Sequence, residues 1–399
     1  MKSTPAIVLA FVFSVWLQCA MAAQSPPTTN PAPLVVSDVV ATAKALTPTY
    51  RPPSKRQLWM AAGELAKRHA PTEADALLPL ARQGDPLALF VLLHFGRSQE
   101  ALEILWKEFD RTGQGLLNIS YAPREQVRAG LHQRTHLLDR EPFWWGAAEL
   151  LAAVGDERSL EILRETAAKR APEHSDSAWA ARRIADRLAQ RLAMDPVAAR
   201  RRADDELAFW QAEGERDSRL LFADEWEGAA ELHAAGIRLS LDFLLEMTRM
   251  PPDTPPELIS WWGWDSQIHK ATAILAYQKE ERAVPRLLEM VAKDERGVSS
   301  ALAALRMIAS PACLRPLEEF VRPGQRFIWD VTGILGDIGD ATTLDVLRRQ
   351  ERERRYSPNE RLAIQLCIWN LEERLEPLPD GQRRPPPEIP PEAVLWTPE

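Results

Sequence analysis

Two histidines four residues apart, His132 and His136, followed by Asp139 and Glu141, give the chain its best metal-ligand spacing. On a helix this relation sets both imidazoles on one face, as a zinc site needs. Gln133 stands where the zinc-protease motif carries its glutamate, and the sequence offers no defined third ligand, so the pair is expected to be two surface histidines and no metal is expected. Nor is there a Gly-x-Ser-x-Gly elbow or a phosphate-binding glycine loop, so no catalytic residue, cofactor or catalysis of its own is expected. Tryptophan is more informative, at 14 residues against four tyrosines. Phe143-Trp144-Trp145-Gly146 forms one cluster, and Trp261-Trp262-Gly263-Trp264 forms another after the breaker Pro251-Pro252-Asp253-Thr254-Pro255-Pro256. Adjacent indoles can stack on a sugar or anchor a protein, but they also fill gaps between helices, and packing is the first expectation for the clusters taken together. Neighbours on a helix lie about 100° apart, so the two members of a pair should not be equally buried. One of Trp261, Trp262 and Trp264 is expected to reach solvent.

What must position these residues is a repeated apolar template. Leucine is followed nine residues later by Ala, Val or Leu and twelve later by Leu in seven places: Leu65/Ala74/Leu77, Leu93/Leu102/Leu105, Leu151/Leu160/Leu163, Leu232/Leu241/Leu244, Leu275/Val284/Leu287, Leu305/Leu314/Leu317 and Leu335/Leu344/Leu347. Successive anchors are 28, 58, 81, 43, 30 and 30 residues apart, so the last three copies are in register. In the Leu305 unit, Val298, Ala301, Ala304, Leu305 and Ile308 form the stripe of a first helix, and Leu314, Leu317 and Val321 the stripe of a second. Ser310-Pro311 between them pairs an N-cap residue with a proline whose missing N–H costs nothing in the first turn. Gly339-Asp340 and Gly155-Asp156 are expected to break other units the same way, glycine by a left-handed turn and aspartate as a cap. Each unit then reads as two short antiparallel helices, and the chain as an all-α superhelix.

This pattern resembles HEAT-type repeats, in particular the short variety named after the phycobilisome lyase family, through Ile334-Leu335-Gly336-Asp337-Ile338-Gly339-Asp340-Ala341 and Leu151-Ala152-Ala153-Val154-Gly155-Asp156. The resemblance covers roughly residues 55–375 and implies an α-solenoid that holds proteins or other macromolecules. It transfers no catalytic residue, because the shared positions are apolar or capping ones. HEAT-type metal hydroxylases carry repeated His-Glu dipeptides, and this sequence contains none. Second helices of such arrays commonly line the concave side. There Arg286, Arg315 and Arg348, one per unit, are candidates for meeting carboxylates of a protein partner. The alternative is an ordinary solvated face of mixed charge.

Around the repeats the composition changes. Lys2, the apolar run Ala6–Leu17 and Ala20-Met21-Ala22 read as a secretory signal peptide over 1–23, which places the chain in a bacterial periplasm or outside the cell. A Pro-rich linker spans 24–54, with a short helix expected within Val35–Ala45, and a Pro-rich tail spans 376–399. That tail is expected either to strap onto the helices or to be offered to another protein. Residues 175–212 read as a helical insertion interrupted at Asp195-Pro196, with its arginines on a solvated, salt-laced face. After the signal only Cys313 and Cys367 remain; they are expected as buried small hydrophobes, with one disulfide open to them. A net charge of −8 argues against nucleic acid, and no membrane span is expected beyond the signal. The sequence therefore points to a scaffold that binds a protein, or, through the Trp clusters, a glycan-binding module; an accessory subunit of an envelope enzyme complex is a third reading.

Overall fold

A computed structural model describes residues 53–112, 115–139, 144–170, 175–212, 221–251, 254, 262–379 and 382–389, together with Val39, Ala41, Thr42, Lys44 and Ala45. Those five residues are helical, inside the short helix expected for Val35–Ala45. The signal peptide, most of the linker, Trp261 and the tail beyond Ile389 lie outside the described residues. Among the described residues the chain is all-α with no strand. No helix among the described residues is long and apolar enough to cross a membrane.

The chain divides into two compact units, one ending at Arg111 and the other starting at Thr112. In the first, α1 (Lys55–Arg68) packs on α3 (Pro86–His94), with the short α2 (Leu78–Arg82) between them and α4 (Ser98–Thr112) after. Starts are written locally: Ser54 and Gln57 form a capping box on α1, and Asp85 caps α3 ahead of Pro86. Trp59 stacks on His94 with ring centroids 3.9 Å apart, and the imidazole Nε2 meets the Trp59 carbonyl oxygen at 3.1 Å.

The second unit runs α5 (Leu116–Ile119), α6 (Arg124–Gln133), α7 (Trp144–Val154), α8 (Glu157–Arg170), α9 (Ser175–Leu192), α10 (Pro196–Gln211), α11 (Leu221–Ala234), α12 (Leu241–Met247), α13 (Trp262–Tyr277), α14 (Val284–Ala292), α15 (Val298–Ile308), α16 (Leu314–Phe320), α17 (Ile328–Ile338), α18 (Ala341–Glu353) and α19 (Pro358–Leu375). From α11 onward the packing is periodic. Helices α11, α13, α15, α17 and α19 each lie against the next, and α12, α14, α16 and α18 each lie against the helix that follows them in sequence. One contiguous core runs through this region from Phe209 to Leu371. All template positions are buried except Leu160 and Leu241, which are half-buried. Burying one such leucine stabilises by about 1.5–3 kcal/mol, so the repeated triplet is what fixes the register.

Three local expectations need correction. Gly339 ends α17 at φ −59°, not in the left-handed region; a Cβ there would lie 2.4 Å from the Leu335 carbonyl oxygen and 2.9 Å from the Thr343 side chain. Gly155 is glycine for the same reason, its virtual Cβ falling 2.5 Å from the Leu151 carbonyl oxygen. Close backbone approach, rather than a positive φ, selects glycine at both turns. The left-handed residue falls instead at Ala309, φ +56°, before the Ser310 cap. Second, α9 and α10 form two helices split by the Asp195 cap, and both pack on α7, while α9 also packs on α8. Arg182, Asp186, Arg200 and Arg201 do face solvent, but Arg191, Asp205 and Glu206 are buried, so the solvated-face reading describes only half of this segment. Third, α6 stops at Gln133 and His136 sits in the separate 3-10 turn Thr135–Asp139, so the two histidines do not share a helical face.

Candidate protein-binding surface

The sequence nominated Arg286, Arg315 and Arg348 as outward donors; each proves to be tied into its own chain. Arg286 on α14 is buried, and its Nη2 donates to the Thr248 carbonyl at 2.8 Å and pairs with Glu295 at 2.6 Å, while Nη1 pairs with Glu289 at 3.0 Å. Burial works against its charge, but the bonds from Glu295 and Glu289 outweigh it and raise its pKa. Arg315 on α16 is half exposed; it pairs with Glu318 and reaches forward to Asp340, the cap of α18, at 2.9 Å. Arg348 on α18 bonds Glu372 at 2.6 Å and Glu376 at 2.9 Å on the following helix and the residue after it. Each guanidinium therefore ties its own helix to the next element along the array, or to the one before it. Arg286 also lines a cleft of about 480 Å³, with Thr248, Arg249, Ile268, Glu295 and Arg296 around it.

The same device recurs outside the nominated residues. Arg191 on α9, only 3 % exposed, donates to the Ala153 and Gly155 carbonyls at the end of α7, each at 3.0 Å, and pairs with Glu206 on α10. Arg170 donates to the Leu138 carbonyl at 2.6 Å and lies 4.2 Å above the Trp144 ring. Helix C-termini leave carbonyls unpaired, and an arginine from a neighbouring helix satisfies them with little loss of geometry. Sequence reasoning could not see these carbonyl partners, because they stand 32 to 38 residues away.

The tryptophans divide as the helical geometry requires where they are described. Trp144 is buried and Trp145 half-buried, meeting edge to face at 5.5 Å. Trp262 and Trp264 begin α13, but their side chains, like all of Trp261, lie outside the described residues. The tail shows one anchored stretch: Trp369 Nε1 donates to the Arg384 carbonyl at 3.1 Å, and Arg384 Nη1 donates to the carbonyls of Glu372 and Glu376 at 2.8 and 2.7 Å. Residues around Arg384 are a strap on α19.

One cluster has the residue types of a nucleophilic site. His132 Nε2 lies 2.7 Å from Ser159 Oγ and 3.8 Å from Asp156 Oδ1. Ser159 is fully buried, and Asp156 approaches the same ring nitrogen as the serine, whereas an orienting acid must hold the opposite nitrogen. Asp156 instead caps α8 through the Ser159 amide at 3.0 Å. Burial pushes the His132 pKa down, Asp156 opposes this, and Arg158 and Arg128 add to it. The buried pair His269 and Ser300 repeats the contact between α13 and α15. Cys313 and Cys367 are both buried free thiols, and burial pushes their pKa up to about 11 and about 12. Among the described residues no group of His, Cys, Asp and Glu could hold a metal ion. No protein-family model matches the chain, and no curated protein and no solved structure is significantly similar to it.

Proposed function

We propose that the chain is an exported scaffold for protein–protein interaction in the bacterial cell envelope, built as a HEAT-like solenoid of antiparallel helix pairs. The observation that carries this reading is the periodic packing of α11 through α19, with the apolar template of each unit buried against its neighbours. In such an array every unit contacts only the units beside it, and the surface between core positions is left to specify a partner. The export half of the reading rests on Lys2, the apolar run Ala6–Leu17 and Ala20-Met21-Ala22. Arginines that tie unit to unit support a rigid frame, which favours binding by limiting the ordering cost.

The test uses the protein immobilised in folded and heat-unfolded forms and exposed to envelope extract. A protein retained by the folded form alone is the expected result. Equal retention by both forms, or retention only of cell-wall oligosaccharide with quenching of tryptophan fluorescence, would contradict it.

A further inference from the structure

At one end of the array two inter-unit loops are clamped together, and they concentrate positive charge in a chain that is net negative. Arg354 Nη1 and Tyr356 Oη both donate to the Val321 carbonyl, at 2.7 and 3.0 Å, and the Gly324 amide donates to Glu360. Tyr356 is buried beneath this contact. The clamp fixes the loop joining α16 to α17 against the loop joining α18 to α19. Between Arg348 and Arg361 the sequence holds six arginines against three glutamates, and Arg322 and Arg326 come from the other loop. Two of those glutamates are already engaged, Glu360 by Ser357 and Gly324, and Glu351 by Gln365.

Of these arginines Arg348 is paired with Glu372 and Glu376, and Arg326 lies 5.1 Å above the Phe327 ring. Arg322, Arg326, Arg352, Arg355 and Arg361 are all exposed and make no ion pair among the described residues, in contrast to Arg286, Arg315 and Arg348. Trp329, in the first turn of α17 and three residues after Arg326, is 45 % exposed. A large apolar side chain left in water at the start of α17, on the helix that follows the loop of Arg322 and Arg326, gives this end of the array the composition of an interaction hot spot, in which Trp and Arg are enriched.

We infer that this surface, Arg322, Arg326, Arg352, Arg355 and Arg361 with Trp329 beside them, docks an acidic polypeptide segment carrying an apolar anchor. The inference rests on the scaffold reading and names the chemistry of its partner. Arg322, Arg326 and Arg355 stand on the clamped loops and Arg352 and Arg361 on the helix turns flanking them, so the backbone that carries these planar, carboxylate-matching forks is held in place. The occupant is a short acidic segment rather than a longer polyanion because the chain's net charge of −8 already includes these five cations, so the rest of the chain is still more negative and repels an anion that extends past the patch. A single indole is too little apolar surface to hold an anionic bilayer, whose attraction the same net charge opposes.

The experiment uses the full chain and three variants, with fluorescence anisotropy of a short synthetic peptide of alternating Glu and Asp around one leucine. The expected result is saturable binding that weakens as salt rises. Arg352→Glu, Arg355→Glu and Arg361→Glu combined should weaken it by about tenfold or more, and Trp329→Ala should weaken it separately. The milder set R352Q, R355Q and R361Q should show a smaller loss in the same direction, which separates lost binding from a lost fold, as does an unchanged helical circular dichroism. Reversal of the exposed pair Arg200 and Arg201 on α10 should leave binding unaltered.

Absence of binding by the wild type, equal binding by the reversed variants, or sedimentation with vesicles of one-third phosphatidylglycerol in place of peptide binding would overturn the inference. If a protein is retained from envelope extract equally by wild type and reversed chain, the docking surface is wrong while the scaffold stands. Should the folded wild type retain none, the scaffold reading itself fails.

Discussion

Arginine and glycine behave in this chain as fitted parts. Asp340 caps α18 through the Thr343 amide at 2.8 Å and receives Arg315 from the previous unit. The Thr343 amide, foremost, and then Arg315 hold its carboxyl below the usual carboxylate range. A lowered folded pKa stabilises above the unfolded value and is lost as pH falls through the folded one. Asp340→Asn should therefore lower stability at neutral pH by about 1 kcal/mol or less, the pair being exposed, and the gap should close below about pH 3 when melting is followed by circular dichroism. A second prediction concerns the thiols. With Cys313 and Cys367 buried and their pKa pushed up to about 11 and about 12, alkylation at pH 8 should be negligible in the native state. Both should react promptly in denaturant, and modification of either thiol at the rate of a free cysteine would show that these helices are not packed as described.

Between elements, the chain is held by side chains that reach carbonyls one unit away. Arg191→Ala removes a buried cation that satisfies Ala153, Gly155 and Glu206 together, and breaking a buried pair on one side costs about 3–5 kcal/mol. Its effect in urea should far exceed that of Arg200→Ala on the exposed face of α10. Gly339→Ala should destabilise by about 1–3 kcal/mol, since its methyl meets the Leu335 carbonyl and Thr343. Changing the exposed Gly324 to alanine tests a different cause, strain at φ +80° with open space around the added carbon.

These two levels also separate what the sequence reveals from what it hides. Periodicity of Leu, Ala and Val is local, so the template positions and the caps Ser310 and Asp340 are readable directly from the chain. The arginine ties are not local: the chemistry that decides whether Arg286 faces a partner or the Thr248 carbonyl stands 38 residues away. Gly339 carries a correct break for a wrong reason, because a clash with Leu335 oxygen has no sequence signature. His132 and His136 fail as a pair because the helix ends at Gln133, with no proline or glycine to announce it. Of the nominated surface, the arginines are placed within the chain's own ion pairs, and the exposed cations outside those pairs lie in loops and helix ends that an apolar template does not mark.

At the scale of the whole molecule, the proposed function is that of an exported array of helix pairs whose surface specifies a protein partner. Stacked units transmit constraint only to their neighbours, so a partner that binds the folded array should protect consecutive units and leave distant ones unaffected. Hydrogen–deuterium exchange of the full chain, with and without the protein retained by its folded form, measures this directly. The account predicts slowed exchange in a contiguous block that includes the loops at residues 321–327 and 354–357. Protection confined to the Pro-rich segment 24–54, or no protection at all, would make the helical array a bystander and contradict it.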